Sequence, residues 1–244
     1  MNDVALATPA NPAGMEYHKI QTLFKRDPET EHRFVIDGDF ANDEFAYLKD
    51  VEWHVEEKVD GMNTRVHYEP RPEGLYVLIG GKTDNADIPA HLDRAIRLIL
   101  GAEKLAGVFP NVKSVTLYGE GYGQHIHSGG FYDAAGDPEG CSFILFDVTV
   151  QTESKSHGIQ NWILARDAVY DIADKLEIRH VPSLGLMSLS KIRDLVRDGF
   201  QSELSTDGRA AEGVVARPRV ELRDRKGERI ITKLKHKDFA REGR

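Results

Sequence analysis

Apolar and polar positions alternate in short runs along most of this chain and take a helical rhythm only in its middle. Val51, Trp53 and Val55 recur at every second position, so residues 51–55 read as a half-buried strand with those three on one face. Residues 64–68 read as a second strand, and residues 75–79 as a third that stops at Gly80-Gly81. Residues 115–118 and 142–146 are further strand candidates, separated by a Gly-rich stretch, 119–140, too long for a simple connection. The helical rhythm is carried by residues 89–105, with Leu92, Ile96, Ile99 and Leu100 along one face. It recurs over 161–176, where Trp162, Ala165, Val169, Ile172, Ala173 and Leu176 align. Residues 188–198 repeat it, burying Leu189, Ile192, Leu195 and Val196 and closing at Gly199. Residues 43–48 suit a short helix, and 17–24 are mixed. The last third returns to strands at 213–216 and 228–234, with a turn at Arg225-Lys226-Gly227 between them. Strands at both ends, helices between and no βαβ rhythm predict an α+β fold.

Composition narrows the class without naming a function. The 244 residues, 40% hydrophobic and 30% charged, describe an ordinary globular chain of one sizeable domain or two small ones. No apolar run approaches the ~18 residues of a membrane span, so no membrane partner is expected. Residues 1–15 lack a basic start and an apolar core; they are expected to be a mobile tail rather than a signal peptide. Cys141 is the only cysteine, which excludes an internal disulfide and a multi-cysteine zinc site and fits a reducing, cytoplasmic setting. A net charge of −8 argues against a nucleic-acid partner until its distribution is considered. Residues 215–244 carry 11 Lys/Arg against 5 Asp/Glu, a local +6, which leaves −14 on the remainder. A basic end on an acidic protein is a footprint of local phosphate binding, although a solvated basic tail has the same composition.

Candidate chemistry gathers around Glu56-Glu57-Lys58-Val59-Asp60-Gly61. Lys58 falls where the first strand gives way to a tight, Gly-bearing connection, a place suited to a lysine nucleophile whose amine can be kept neutral. Alone, a K-x-D-G occurs by chance in roughly 5% of chains of this length, so it carries weight only in company with other chemistry along the chain. Tyr118-Gly119-Glu120 places a carboxylate just past a strand, where it could accept hydrogen bonds from sugar hydroxyls. Phe146-Asp147 ends the most apolar strand, and an aromatic there could stack on a base. Glu212 heads a buried strand, a position suited to a metal ligand. Residues 230–235 alternate, which puts Lys233 and Lys235 on one side of a strand, mutually repelling unless an anion sits between them.

Taken together, in order and spacing, these residues resemble the nucleotidyl-transferase domain shared by ATP-dependent polynucleotide ligases and mRNA capping enzymes. They are most similar to the RNA ligase branch typified by phage-type RNA ligase 2. Lys58-Val59-Asp60-Gly61 matches nucleotidyl motif I, with Asn63 at a position where this branch also has asparagine. Gly81-Lys82-Thr83 resembles motif Ia, Tyr118-Gly119-Glu120 motif III, Phe146-Asp147 motif IIIa, Glu212-Gly213 motif IV and Lys233-Leu234-Lys235 motif V. The resemblance covers roughly residues 50 to 240 and implies antiparallel sheets flanked by helices around a central ATP cleft. It further implies a lysyl-AMP mechanism. Lys58 is expected to attack the α-phosphate of ATP, with Lys233 and Lys235 holding that phosphate. Glu212 would bind Mg2+ or Mn2+, Glu120 the ribose, and Phe146 would stack on adenine. Glu57, Asp60, Gly61, Asn63, Arg65 and Lys82 complete the expected nucleotide set.

Three departures shape the expectation. Lys82 stands where motif Ia usually has arginine and cannot make a bidentate fork. Gln124-His125-Ile126-His127 replaces a more basic segment. The chain stops nine residues after Lys235, so residues 16–244 are expected to form a single domain without an oligonucleotide-binding fold. The resulting expectation is an ATP-dependent RNA ligase joining 5′-phosphate to 3′-hydroxyl ends. Its substrate could be RNA ends in a nicked duplex or an RNA/DNA hybrid, with an accessory protein supplying a missing domain. Two alternatives stay open: a minimal DNA ligase, which would also seal nicked all-DNA duplex, and an end-binding protein of the same fold without turnover.

Overall fold

A computed structural model describes residues 8–9, 16–127, 131–132 and 140–239. The expected mobile tail lies outside the described residues apart from Thr8–Pro9, as do 128–130 and 133–139 of the Gly-rich stretch. In chain order the strands are β1 (Thr8–Pro9), β2 (Gln21–Thr22), β3 (Phe24–Arg26), β4 (Val35–Phe40), β5 (Trp53–Glu57), β6 (Met62–Arg71), β7 (Gly74–Gly81), β8 (Ser114–Gly123), β9 (Cys141–Ser154), β10 (Gly158–Ile163), β11 (Ser183–Met187), β12 (Gly213–Pro218) and β13 (Thr232–Lys235). The α-helices are α1 (Asp43–Tyr47), α2 (Ala90–Ile99), α3 (Ala102–Val108), α4 (Arg166–Lys175) and α5 (Leu189–Asp198). The fold is α+β, and its internal contacts divide it into two compact units. One comprises Met1–Tyr17 with Asp60–His180, the other His18–Val59 with Val181–Arg244.

The first unit holds a six-stranded sheet in the order β1-β10-β9-β8-β6-β7, antiparallel at every step. One face is apolar and covered by helices. Val66, Leu117, Phe143 and Leu145 pack there with Leu92 and Ile96 of α2, Leu105 of α3 and Val169 and Ile172 of α4. Side chains of this kind each stabilise by about 1.5–3 kcal/mol when fully buried. Alternation along β6, β8 and β9 then turns Asn63, Arg65, Glu120 and Ile144 to the opposite face. The β8–β9 ladder slips at one point, with Tyr118 opposite Asp147 and Gly119 opposite Leu145, so Phe146 is the extra residue of a β-bulge. Gly119 is required there: a Cβ would lie 2.3 Å from the Phe143 ring and 2.4 Å from the Ile144 carbonyl oxygen.

Several expectations are corrected in this unit. Residues 89–105 form two helices, because Leu100 leaves helical geometry (φ −125°, ψ 58°) to bury its side chain in the core and Gly101 starts the next. Residues 161–163 belong to β10, paired with β9, and the helix begins only at Arg166. Ladder hydrogen bonds to Val150 and Thr149 outweigh a helical spacing that Trp162 shares with Ala165 by coincidence. β8 runs on to Gly123 and β9 to Ser154, so neither Glu120 nor Phe146 lies at a strand end. The glycines that suggested a loop instead leave room for close packing.

The second unit holds a five-stranded sheet, β11-β5-β12-β13-β2, in which only the β13–β2 pair is parallel, and a two-stranded pair of β3 and β4. Trp53, Val55, Val214, Ala216 and Leu234 line one face and pack with Leu189, Ile192 and Val196 of α5. Ser188 precedes that helix and Gly199 ends it at φ 81°, as the sequence indicates. Leu195 is only half-buried. Val51 is 43% exposed and lies before β5, so the apolar face starts at Trp53. The last strand is shorter than expected: Ile230 and Ile231 are buried but precede β13. The turn before it is present, with the Asp224 carboxylate accepting from the backbone N–H of Lys226 and Glu228. Four strands of this unit escape sequence reading: β2 and β3, short and in or beside a segment read as mixed, β4, broken by Asp37-Gly38-Asp39, and β11, which contains Gly185.

Candidate functional site

The second unit brings a nucleophile, an acid and a cation together. β5 ends at Glu57, and the N–H of Lys58 donates to the Gly213 carbonyl (2.8 Å), which fixes the lysine backbone beside β12. Gly213 in turn pairs with Lys235 of β13. Gly213 admits no side chain, since a Cβ would lie 2.1 Å from the Leu234 carbonyl oxygen, so β12 and β13 pack closely beside Glu212. Lys58 Nζ lies 2.6 Å from Glu212 Oε2, and Lys235 Nζ lies 2.5 Å from Glu212 Oε1. The Glu212 side chain is 11% exposed. Burial pushes its pKa up, but Lys58 and Lys235 outweigh that and hold the carboxyl below its usual value. Glu212 thus joins Lys58 to Lys235, a different pair from the Lys233 and Lys235 between which an anion is expected. Lys233 shares a strand face with Lys235, since Thr232 and Leu234 between and before them are buried.

Glu57 turns to a different task. It is buried, and its carboxylate accepts from Ser202 Oγ (2.5 Å) and the Glu203 N–H (3.0 Å), anchoring the segment that leads to Glu212. Burial raises its pKa, partly offset by those two donors. Glu56 forms a buried ion pair with Arg217 at 3.0 Å. Nothing but the double acid before Lys58 hinted at either arrangement.

The first unit gathers the remaining candidates on the face opposite its helices. Cross-strand register aligns Asn63 with Glu120 and Ile144, and Arg65 with Tyr118 and Asp147. Phe146 bulges between these rows. Arg65 is buried; its Nη2 lies 2.5 Å from Asp84 Oδ1, while Nε and Nη1 have no hydrogen-bond partner among the described residues. Asn63 Oδ1 is also buried without a partner among them. Unsatisfied buried polar groups are costly, so these atoms fit a ligand rich in phosphate and hydroxyl oxygens. Asp60 and Gly61 form the connection into β6. The Asp60 N–H donates to Tyr132 Oη (3.0 Å), and a Cβ on Gly61 would lie 2.2 Å from the Gly121 carbonyl oxygen. Only glycine fits there. Lys82 is exposed on the connection after β7.

Each unit therefore assembles its own set: Glu57, Lys58, Glu212, Lys233 and Lys235 in one, Asp60, Gly61, Asn63, Arg65, Lys82, Glu120 and Phe146 in the other. Sequence reasoning missed Tyr17, Asp84 and Arg166, which touch the second set and carry no motif signal. His125 and His127 do not form a metal cluster: among the described residues no three His, Cys, Asp or Glu side chains are grouped to hold an ion. No helix among those residues is long and apolar enough to cross a membrane.

The architecture is that of a nucleotidyltransferase of the RNA ligase type. A Naegleria gruberi RNA ligase, solved as an apo mutant, aligns with a TM-score of 0.61 at 16% identity over 96% of this chain and 59% of that one. A mutant of it with ATP and Mn aligns at 0.59 and 17% over 94% and 58%, and a mutant with AMP and Mn at 0.59 and 16% over the same shares. No curated protein matches the sequence. The RNA ligase family model matches residues 51–235, and the chain belongs to that family. It spans 59% of the length of the Naegleria apo enzyme.

Proposed function

We propose that this chain carries out the nucleotidyl-transfer chemistry of an ATP- and divalent-metal-dependent RNA ligase. The observation that carries this reading is the Lys58–Glu212–Lys235 cluster, with Lys58 in the family's motif I. In the proposed reaction Lys58 Nζ attacks the α-phosphorus of ATP. A P–N bond forms, the bond to the β-phosphate oxygen breaks, and pyrophosphate leaves. The AMP then passes to an RNA 5′-phosphate, and a 3′-hydroxyl displaces it to seal the strand. Such transfers depend mainly on positioning and charge neutralisation.

Attack needs the neutral amine, which the positive charge of Lys235 and Lys233 favours, while the contact with Glu212 positions Nζ. Lys235 and Lys233 supply positive charge on the same strand face for the α-phosphate. Glu212 offers one carboxylate to a Mg2+ or Mn2+ ion. A single protein carboxylate suits a cation that takes its other ligands from phosphates and water. The bound ion would neutralise charge on the phosphates. Arg65 and Asn63, with their unsatisfied buried atoms, suit phosphate or ribose oxygens, Glu120 the ribose hydroxyls, and Phe146 the adenine face. The buried thiol of Cys141, the chain's one cysteine, fits a reducing, cytoplasmic setting.

Incubation with α-labelled ATP and magnesium tests the reading directly. An acid-stable protein adduct should form and be lost in Lys58→Ala; an adduct that persists in that variant overturns the assignment. Chasing the adduct onto 5′-phosphorylated RNA and DNA ends should show transfer to RNA.

A further inference from the structure

Phe146 is held in place by Tyr17, which precedes every motif of the family, and by Arg166, which follows it in the chain. Tyr17 is buried, and its ring meets Phe146 edge to face, with centroids 5.0 Å apart at 69°. The same ring tilts against Tyr118, also at 5.0 Å. Tyr17 Oη donates to Asp147 Oδ2 at 2.9 Å. Asp147 is buried, and Arg166, the first residue of α4, donates to its Oδ1 at 2.6 Å and to the Phe146 carbonyl at 2.5 Å. A bulged residue has lost its ladder partners, so its direction must be set by other contacts. Here Arg166 fixes the Phe146 carbonyl and the side chain of the next residue, and Tyr17 packs against the ring itself. The preceding residue reaches the other end of the same face. Glu16 Oε1 accepts from the Asp84 N–H at 3.1 Å, and Asp84 is the carboxylate paired with Arg65.

We propose that Tyr17 and Glu16 are positioning residues of the nucleotide subsite: Tyr17 orients the base-stacking ring of Phe146, and Glu16 steadies Asp84 and through it Arg65. This rests on the reading of Phe146 as the adenine platform. A side chain that only held the fold together would affect every ligand alike. One that orients a base platform affects nucleotides and spares a ligand without a base.

The test measures KM and kcat for ATP in self-adenylylation of the full chain, together with inhibition by inorganic tripolyphosphate, which has no base. Tyr17→Leu should raise KM for ATP about tenfold, the upper range for an aromatic pair, with kcat kept within about threefold. Tyr17→Phe, which keeps the ring and loses only its anchor to Asp147, should raise KM about threefold and melt close to the parent. Tripolyphosphate inhibition should be unchanged in both. If both variants keep KM within twofold of the parent while Phe146→Ala raises it, the role of Tyr17 is refuted and the platform stands. If Phe146→Ala leaves KM unchanged as well, the platform reading itself fails. Equal weakening of ATP and tripolyphosphate would mark Tyr17 as structural and also overturn the proposal. For the second link, Glu16→Ala should weaken tripolyphosphate inhibition about threefold, and unchanged inhibition removes Glu16 from the site.

Discussion

At Glu212 one carboxylate serves two amines, and removing different members of the cluster should have opposite consequences. Lys235→Ala leaves Glu212 paired with Lys58 and relieves the repulsion between two neighbouring cations. The expected change in stability is small, within about 1 kcal/mol, because one partly exposed ion pair is lost as one repulsion is relieved. Self-adenylylation should fall about 100- to 1,000-fold, since a group that neutralises developing charge is gone. Glu212→Gln does the reverse, leaving Lys58 and Lys235 facing one another without their anion, and should lower the melting temperature. The direction of the shift sets the pH dependence. The Glu212 carboxyl titrates lower in the folded chain than the ordinary glutamate value of 4.5. Its contribution to stability is therefore complete above the unfolded value and is lost as pH falls through the depressed folded value. Melting curves of the parent and Glu212→Gln should differ at pH 7 and converge in the acid range below 4.5. A constant difference down to the lowest pH at which the chain folds would refute the coupling. Lys58 was legible from sequence because its neighbours in the chain carry the signal. The partners of its amine were not, since Glu212 lies 154 residues away and Lys235 reaches it across Gly213.

Among the elements, sequence periodicity succeeds where a single face is apolar and fails where two constraints overlap. The helix Leu189–Asp198 and the strand Trp53–Glu57 each have a single apolar face, and both emerge from their patterns. β8 and β9 emerge only in part, at 115–118 and 142–146, because one face meets α2 and α4 while the other carries the candidate site, so glycines and aromatics sit in mid-strand and read as loop and terminus. Gly119 shows the cost of that arrangement. A methyl group there meets the Phe143 ring and the Ile144 carbonyl, and the latter is backbone that cannot turn aside. Gly119→Ala should therefore destabilise the chain by about 1–3 kcal/mol or more, visible as a lower melting temperature. Because the strain falls at the bulge, the surviving folded protein should also show a raised KM for ATP through Phe146. Gly107→Ala is the control: nothing lies within 4 Å of its Cβ position in α3, and helix propensity favours alanine there. Parental stability in Gly119→Ala would mean that β8 and β9 are free to separate at this point.

For the molecule as a whole, the charge pattern is less available to a nucleic acid than the sequence suggests. Several cations of residues 215–244 are paired within the chain: Arg217 with Glu56, Arg219 with Glu52 at the surface, Arg229 with Glu221 and Lys235 with Glu212. Arg225, Lys226 and Lys237 remain exposed. Lys237 does not continue the face of Lys233 and Lys235, because β13 ends at Lys235 and residues 236–238 form a 3-10 turn. Affinity for a single strand falls with salt by about 0.7 in log K per log unit for each phosphate neutralised. Among the described residues of this segment, these three cations outside the pairs then predict a slope of about −2. Anisotropy of a labelled, 5′-phosphorylated RNA titrated at several salt concentrations measures it. Lys237→Ala should reduce the slope by about 0.7 and leave self-adenylylation unchanged, since Lys237 lies beyond the strand that carries the reactive face. A slope steeper than about −4 would mean that the internal pairs open on binding and that the whole basic segment engages the RNA. If the slope stays near −2 but Lys237→Ala leaves it unaltered, the phosphates lie against other cations, and Arg225 and Lys226 become the residues to replace next.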